Sequence, residues 1–261
     1  MREPHSSPHC VVVGVDGSRS GLHAALWAVD EAVAGDVPLR LVYAIESSES
    51  ESDADAAIRD AFSVIEATHK PVKIEAEVVH ERPIATLLAE SRSAAMVCVG
   101  STGLKHAVHG HIGSTASALV SSAHCAIAVV PISAASTPAG SVLAVVDESL
   151  DSTGVLALAV REARLRGAPL RLLTAAAPAP LKRYLAVWRR NHPDVDIQPV
   201  ARHGGVVNYL ESRHRIADPV QLAVVDAQRP RAADVLLAPS GRAALDASRC
   251  TLLVCDRQRW L

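Results

Sequence analysis

Gly100-Ser101-Thr102-Gly103 is followed, nine residues later, by Gly113-Ser114-Thr115, so the stretch reads G-x2-G-x9-G-S-T. Glycines let a backbone adopt positive φ and approach a ligand with no side chain in the way. A helix opening at Gly113-Ser114 would present unpaired N–H groups and the positive end of its dipole, as a polyphosphate requires. The hydroxyls of Ser101, Thr102, Ser114 and Thr115 would add donors. Upstream, Val15-Asp16-Gly17-Ser18 places a carboxylate to hydrogen-bond a ribose or to hold a Mg2+ beside the phosphates. Ala44 would offer only its backbone, which suffices to read an adenine edge.

The elements that must position these groups are short apolar runs alternating with helical patterns, the signature of a parallel sheet with crossover helices. Strands are expected near 10 to 15, 39 to 45, 72 to 80, 95 to 100 and 126 to 130. Between them, 20 to 34 places Leu22, Ala25, Leu26 and Val29 on one helical face, and 53 to 68, 83 to 91 and 114 to 122 also read as helices. Pro83 suits a helix start, where its missing N–H costs nothing. Open sheets of this kind bind ligands at the carboxyl ends of their strands, where strand order reverses. Asp16, Ala44 and the glycine loop all fall at such ends.

The whole pattern occurs twice. Val11 to Ala44 aligns without a gap on Val142 to Ala175: Asp16 falls on Asp147, Ser18 on Ser149, Glu31-Ala32 on Glu162-Ala163, and Pro38-Leu39-Arg40-Leu41 on Pro169-Leu170-Arg171-Leu172. Such in-register agreement over a strand, a helix and a strand indicates an internal duplication. Two domains are expected, 1–132 and 141–261, joined by the low-complexity run Ile132 to Gly140, with second-copy strands near 141 to 146, 169 to 175, 196 to 202, 220 to 225 and 251 to 255. The second glycine loop is eroded: Gly100 falls on Asp226, Gly103 on Arg229 and Gly113-Ser114 on Pro239-Ser240. A carboxylate repels phosphate and proline has no N–H to donate, so only the first copy is expected to bind a nucleotide in the ordinary way. Asp147, without partners, reads as a polar strand end.

Through VVVGVDGS, LRLVYA and GSTG-x9-GST followed by ASALVSSAHCAIAVV, the chain resembles the bacterial tandem universal stress proteins, and its glycine motif resembles their ATP-binding branch. The resemblance implies an α/β fold of two tandem open five-stranded parallel sheets, order 3-2-1-4-5, flanked by helices and similar to Rossmann and adenine nucleotide alpha hydrolase folds. It implies a stress-responsive regulator that binds ATP, with or without Mg2+, and hydrolyses it feebly at most. Carried over by position, Asp16 and Ala44 would contact the nucleoside, and Gly100, Gly103, Gly113, Ser114 and Thr115 the phosphates.

Composition narrows the alternatives. Hydrophobic residues make up 49% of the 261 and aromatic residues only 3%, which suits closely packed helices on a buried sheet rather than a base-stacking surface. A net charge of -2 gives no general attraction to nucleic acid or acidic membranes. Five scattered cysteines, mostly inside apolar runs, suggest reduced thiols, and neither a signal peptide nor an apolar stretch of roughly 18 residues is evident, so a cytoplasmic location is expected. His106, His109 and His111 crowd the x9 loop, yet no Cys or carboxylate stands by to complete a metal site. With Lys105 they would rather sit near the phosphates and favour anion binding as they protonate. The basic run Lys182-Arg183 to Arg189-Arg190, around Tyr184 and Trp188, reads as a solvated helix face, and Glu46 to Asp55 as an exposed acidic loop able to act as a flap.

No GxxxxGK[ST], HExxH or G-x-S-x-G is present, and VDGSRS replaces the Ser-Gly-Gly-x-Asp-Ser loop of the ATP pyrophosphatases. No residue is evidently poised as a general base, so an enzyme is not expected; a weak ATPase and a ligand-free scaffold acting through an unknown protein partner are the competing readings. The apolar edge strands 126 to 130 and 251 to 255 need covering, which favours an internal pseudo-dimer, and the whole chain could dimerise further.

Overall fold

The computed structural model describes residues 10–45, 50–103, 113–133, 140–146, 153–175, 177–201, 205–216, 218–227 and 230–255. Lys105, His106, His109, His111, Asp147 and Arg229 lie outside them. The chain forms two compact units. In the first, β1 (Val11–Gly14), β2 (Leu39–Ala44), β3 (Ile74–Val79), β4 (Met96–Gly100) and β5 (Ala126–Val130) lie in the order β3-β2-β1-β4-β5. All their pairings are parallel. Around them run α1 (Arg19–Gly35), α2 (Glu51–Glu66), α3 (Pro83–Glu90) and α4 (Ser114–Ser122).

The second unit repeats the plan with β6 (Ser141–Val145), β7 (Leu170–Thr174), β8 (Ile197–Ala201), β9 (Val220–Asp226) and β10 (Thr251–Cys255), ordered β8-β7-β6-β9-β10. Register repeats too: Val11 pairs with Met96 as Val142 pairs with Leu222. The duplication legible in the sequence is therefore a duplication of sheet geometry. Helices α5 (Thr153–Leu165), α6 (Pro178–Asn191), α7 (Gly205–Arg215), α8 (Pro230–Leu237) and α9 (Pro239–Ser248) accompany this sheet. Strands β4, β5, β9 and β10 are buried along nearly their whole length, as strands covered on both faces must be.

Local chemistry explains the helix starts. Ser18 caps α1, its hydroxyl accepting from the Gly21 amide at 3.0 Å. α1 buries Ala24, Ala25, Ala28, Val29 and Ala32, while Leu22 and Leu26 sit at the margin of the stripe. Small residues at the centre let the helix axis approach the sheet, which a reading based on the leucines had not foreseen. The acidic stretch also differs from expectation. Glu51 begins α2, and Ser50 and Asp53 form a reciprocal capping box, so residues from Ser50 onward are helix start rather than loop. Acidic groups there also complement the helix dipole. The basic run lies on α6 with Lys182, Arg183 and Arg190 exposed, and Trp188 stacks on His192 with centroids 5.3 Å apart. Buried Glu162 is paired with Arg166 one turn later, which meets the cost of placing a carboxylate in α5.

His23 on α1 makes acid sensitivity part of the first unit. Burial pushes its imidazole below the ordinary histidine range and Arg19 acts in the same direction, while the backbone at Ile132 and Pro131 opposes them. Its Nδ1 is buried without a hydrogen-bond partner among the described residues. The unfolded chain protonates this group near pH 6.5 but the folded one resists, so the unfolded state binds more protons and stability declines as pH falls below about 6.5. His23→Gln should flatten the fall in urea midpoint between about pH 7 and pH 5. An unchanged slope would show that His23 carries no part of it.

Candidate functional site

A cleft opens at the carboxyl ends of β1, β2 and β4. Its lining includes Val15, Asp16 and Ser18 after β1, Val42 to Ala44 on β2, and Gly100, Thr102 and Gly103 after β4. Gly113, Ser114, Thr115 and Ala116 at the start of α4 complete the polar side, and Pro83, Leu87 and Val99 the apolar side. The site residues read from the sequence converge here except Gly17 and Ser101, which are outside the lining.

Both exceptions have structural explanations. Gly17 is exposed with φ 77°, a left-handed turn residue that brings Ser18 under α1. Within that turn the Ser18 amide donates to Asp16 Oδ1 at 3.0 Å. Ser101 has its side chain buried and its hydroxyl unpaired among the described residues. Its backbone ties the loop down instead: the amide donates to the Val130 carbonyl at 2.8 Å and the carbonyl accepts from the Gly113 amide at 3.0 Å.

The three glycines of the motif are there for different reasons. A Cβ on Gly100 would lie 2.6 Å from the Ser20 carbonyl carbon and 2.8 Å from the Gly21 amide nitrogen, so its bareness lets α1 pack on β4. A Cβ on Gly103 would press on Asp16 Oδ2 at 2.9 Å, which places the carboxylate directly against the loop. A Cβ on Gly113 would meet nothing closer than 3.8 Å among the described residues. Gly113 has φ -57° and ψ 144°, which any residue adopts, and no side chain caps α4. Neither packing nor strain calls for glycine there. What remains, among the described residues, is an open approach to a helix N-terminus without a side-chain cap, where the first amides lack intrahelical partners and the dipole is positive.

Val42, Tyr43, Pro83, Leu87 and Val99 supply an apolar part of the same lining. Sequence reasoning missed these residues. Val42 and Tyr43 were findable, because they adjoin Ala44 at a strand's carboxyl end. Pro83 and Leu87 were not, since only the folding of α3 over β1 and β2 brings them in. Ser20 was missed as well: it is wholly buried, and its hydroxyl donates to the Thr102 carbonyl.

The second unit departs from this design. Asp226 ends β9 opposite Cys255, in the register place that Gly100 holds opposite Val130, and it is buried. α8 occupies the stretch read as a spaced copy of the glycine loop, a helix the sequence reading did not anticipate. Gly241 permits it: a Cβ there would lie 2.8 Å from the Val235 carbonyl carbon, so α9 lies directly against α8. Helix starts align Gly113 with Ala238 and Ser114 with Pro239, one residue from the register expected. Proline thus stands at the first helical position, where it removes an amide of the kind α4 presents. Among the described residues of either unit no group of three His, Cys, Asp or Glu is placed to hold a metal.

The universal stress protein family model matches residues 9–131. Universal stress protein Rv2028c of Mycobacterium tuberculosis (strain ATCC 25618 / H37Rv) is 38% identical over 284 residues, covering 99% of each chain. Universal stress protein Rv3134c of the same strain is 44% identical over 248 residues, covering 87% of this chain and 91% of that one. Among solved structures, a universal stress protein from Archaeoglobus fulgidus DSM 4304 superposes with a TM-score of 0.71 at 14% identity, covering 95% of this chain and 98% of the other.

Proposed function

The chain belongs to the universal stress protein family, and on that premise we propose that its first unit binds an adenine nucleotide, ATP above all, as the ligand-dependent half of a stress-response regulator. The observation that carries this reading is Gly113. It leaves space beside the uncapped start of α4 that packing does not need and an anionic tail does. The apolar residues of the same cleft suit a purine, and Asp16, Gly103, Ser114 and Thr115 line it with them.

A Mg2+ would come with the phosphates rather than ahead of them. Asp16 is one carboxylate, and its Oδ1 accepts from the Ser18 amide. Bound, the ion would neutralise phosphate charge beside that carboxylate. Among the described residues the cleft is lined by one carboxylate, Asp16, and by no histidine, so the protein is proposed to hold nucleotide rather than turn it over. The five cysteines are buried and outside any disulfide, which suits a cytoplasmic chain. Among the described residues no helix is long and apolar enough to cross a membrane.

Mass spectrometry of small molecules that co-purify with the chain, followed by calorimetric titration of ATP, AMP and cyclic AMP, tests the assignment. One site per chain is expected, since Asp226 and Pro239 remove the anion-binding features from the second unit. Two equivalent sites would overturn the reading of that unit, and no heat with any of the three nucleotides would overturn the whole proposal. ATP turnover should match that of Asp16→Ala; a rate well above it would establish an enzyme instead.

A further inference from the structure

Two chain segments must keep a fixed spacing for this cleft to work: the turn after β1, which carries Asp16, and the loop after β4, which carries Gly103. They belong to different βα units, and the sheet joins only the strands beneath them. Among the described residues a partly buried knot of hydroxyls links them directly. Ser20, on the first turn of α1, is wholly buried and donates to the Thr102 carbonyl. Ser18 Oγ lies 3.2 Å from Ser20 Oγ and 3.4 Å from the same carbonyl, and Thr102 Oγ1 lies 3.4 Å from Ser20 Oγ. Gly100 makes the knot reachable, because only a bare residue there lets the Ser20 backbone come down onto β4.

We propose that Ser20 is a positioning residue for ligand binding: it fixes the Thr102 carbonyl to α1 and so sets Gly103 against Asp16. Ser20 does not line the cleft, and it acts through the loop. The Ser101 amide and carbonyl anchor the loop to β5 and to Gly113, but both lie upstream of the Thr102–Gly103 peptide. The Thr102 carbonyl is the acceptor of that same peptide. Without the Ser20 hydroxyl only the longer 3.4 Å approach of Ser18 Oγ holds it, so the peptide plane can turn, and turns the Gly103 amide with it. Asp16 has no such freedom, since it caps the Ser18 amide. Loss of the hydroxyl therefore loosens one side of the site against a fixed other side, and ordering it again is charged to binding.

This inference rests on the nucleotide reading, and its test separates the two. Calorimetric titration of AMP into the full chain is compared for wild type, Ser20→Ala and Ser91→Ala. Ser91 is the control, wholly buried and hydrogen-bonded to Leu88 and His124, away from the cleft. Ser20→Ala is expected to weaken AMP by about three- to tenfold, the range of one lost hydrogen bond. Hydrogen exchange should rise in the peptide spanning Ser101 to Gly103 and not throughout α1. Ser91→Ala should lose comparable thermal stability with affinity unchanged.

If Ser20→Ala does not fold, Ser20→Cys, which keeps a weaker donor in similar shape, should bind with intermediate affinity. Wild-type affinity in every Ser20 variant that folds, or equal weakening by both alanine substitutions, would overturn the positioning role. Absence of AMP binding by wild type would instead overturn the nucleotide reading.

Discussion

Gly100→Ala is expected to lower the free energy of unfolding by about 2 to 3 kcal/mol, in the upper range for overpacking a close-fitted site. The added methyl would fall within 2.6 to 2.8 Å of backbone atoms of Ser20 and Gly21, which cannot rotate aside. Either the first turn of α1 lifts from β4 or the end of β4 shifts, and both movements break the hydroxyl knot and the packing of α1. Urea unfolding should show a lower midpoint with an unchanged slope. Gly14→Ala is the internal comparison. Its methyl would meet Leu87 Cδ1 at 2.8 Å, the far end of a flexible side chain, and should cost less than about 1 kcal/mol. Equal midpoints for the two variants would mean that the contact with α1 is not what calls for glycine at position 100.

Gly113→Asp should separate binding from stability in the opposite way. The backbone there suits any residue, the position is the N-cap of α4, and no side chain caps that helix. Aspartate is among the best N-caps and glycine slightly poorer, so folding should be unchanged or stabilised by a few tenths of about 1 kcal/mol. The same carboxylate would occupy the amides meant for the ligand and set a like charge against its phosphate. Nucleotide affinity should fall by at least about a hundredfold, roughly the loss of two charge-assisted hydrogen bonds. Thermal unfolding with and without ATP reads both effects at once: the unliganded midpoint holds, and the shift caused by ligand disappears. A variant that keeps the ligand-induced shift would show that the anion lies elsewhere.

These opposite outcomes arise from one motif. As a string of residues, G-x2-G-x9-G-S-T assigns its glycines a single task, close approach to phosphate. In the folded chain Gly100 serves helix packing, Gly103 faces a carboxylate, and a Cβ on Gly113 alone of the three would meet nothing closer than 3.8 Å among the described residues. Spacing located the cleft because local sequence governs where a strand ends and a helix begins. It could not divide the labour, because each glycine's neighbours come from segments distant along the chain.

The same boundary runs through the fold. The alternation of apolar runs with helical patterns, and the in-register repeat, determined two copies of a parallel sheet; strand pairing in 3-2-1-4-5 order follows from the family resemblance and is what the molecule adopts. Apolar periodicity and turn residues are short-range signals, and a buried parallel strand carries them plainly. Ser50 and Asp53 were equally local, and the capping box they form was legible though unread. Tertiary structure alone decided which apolar side chains line the cleft, why Ser20 is buried, and that α8 replaces the glycine loop in the second unit. Each depends on two or more elements meeting in space, and an excluded atom such as a missing Cβ acquires meaning only from what would have collided with it.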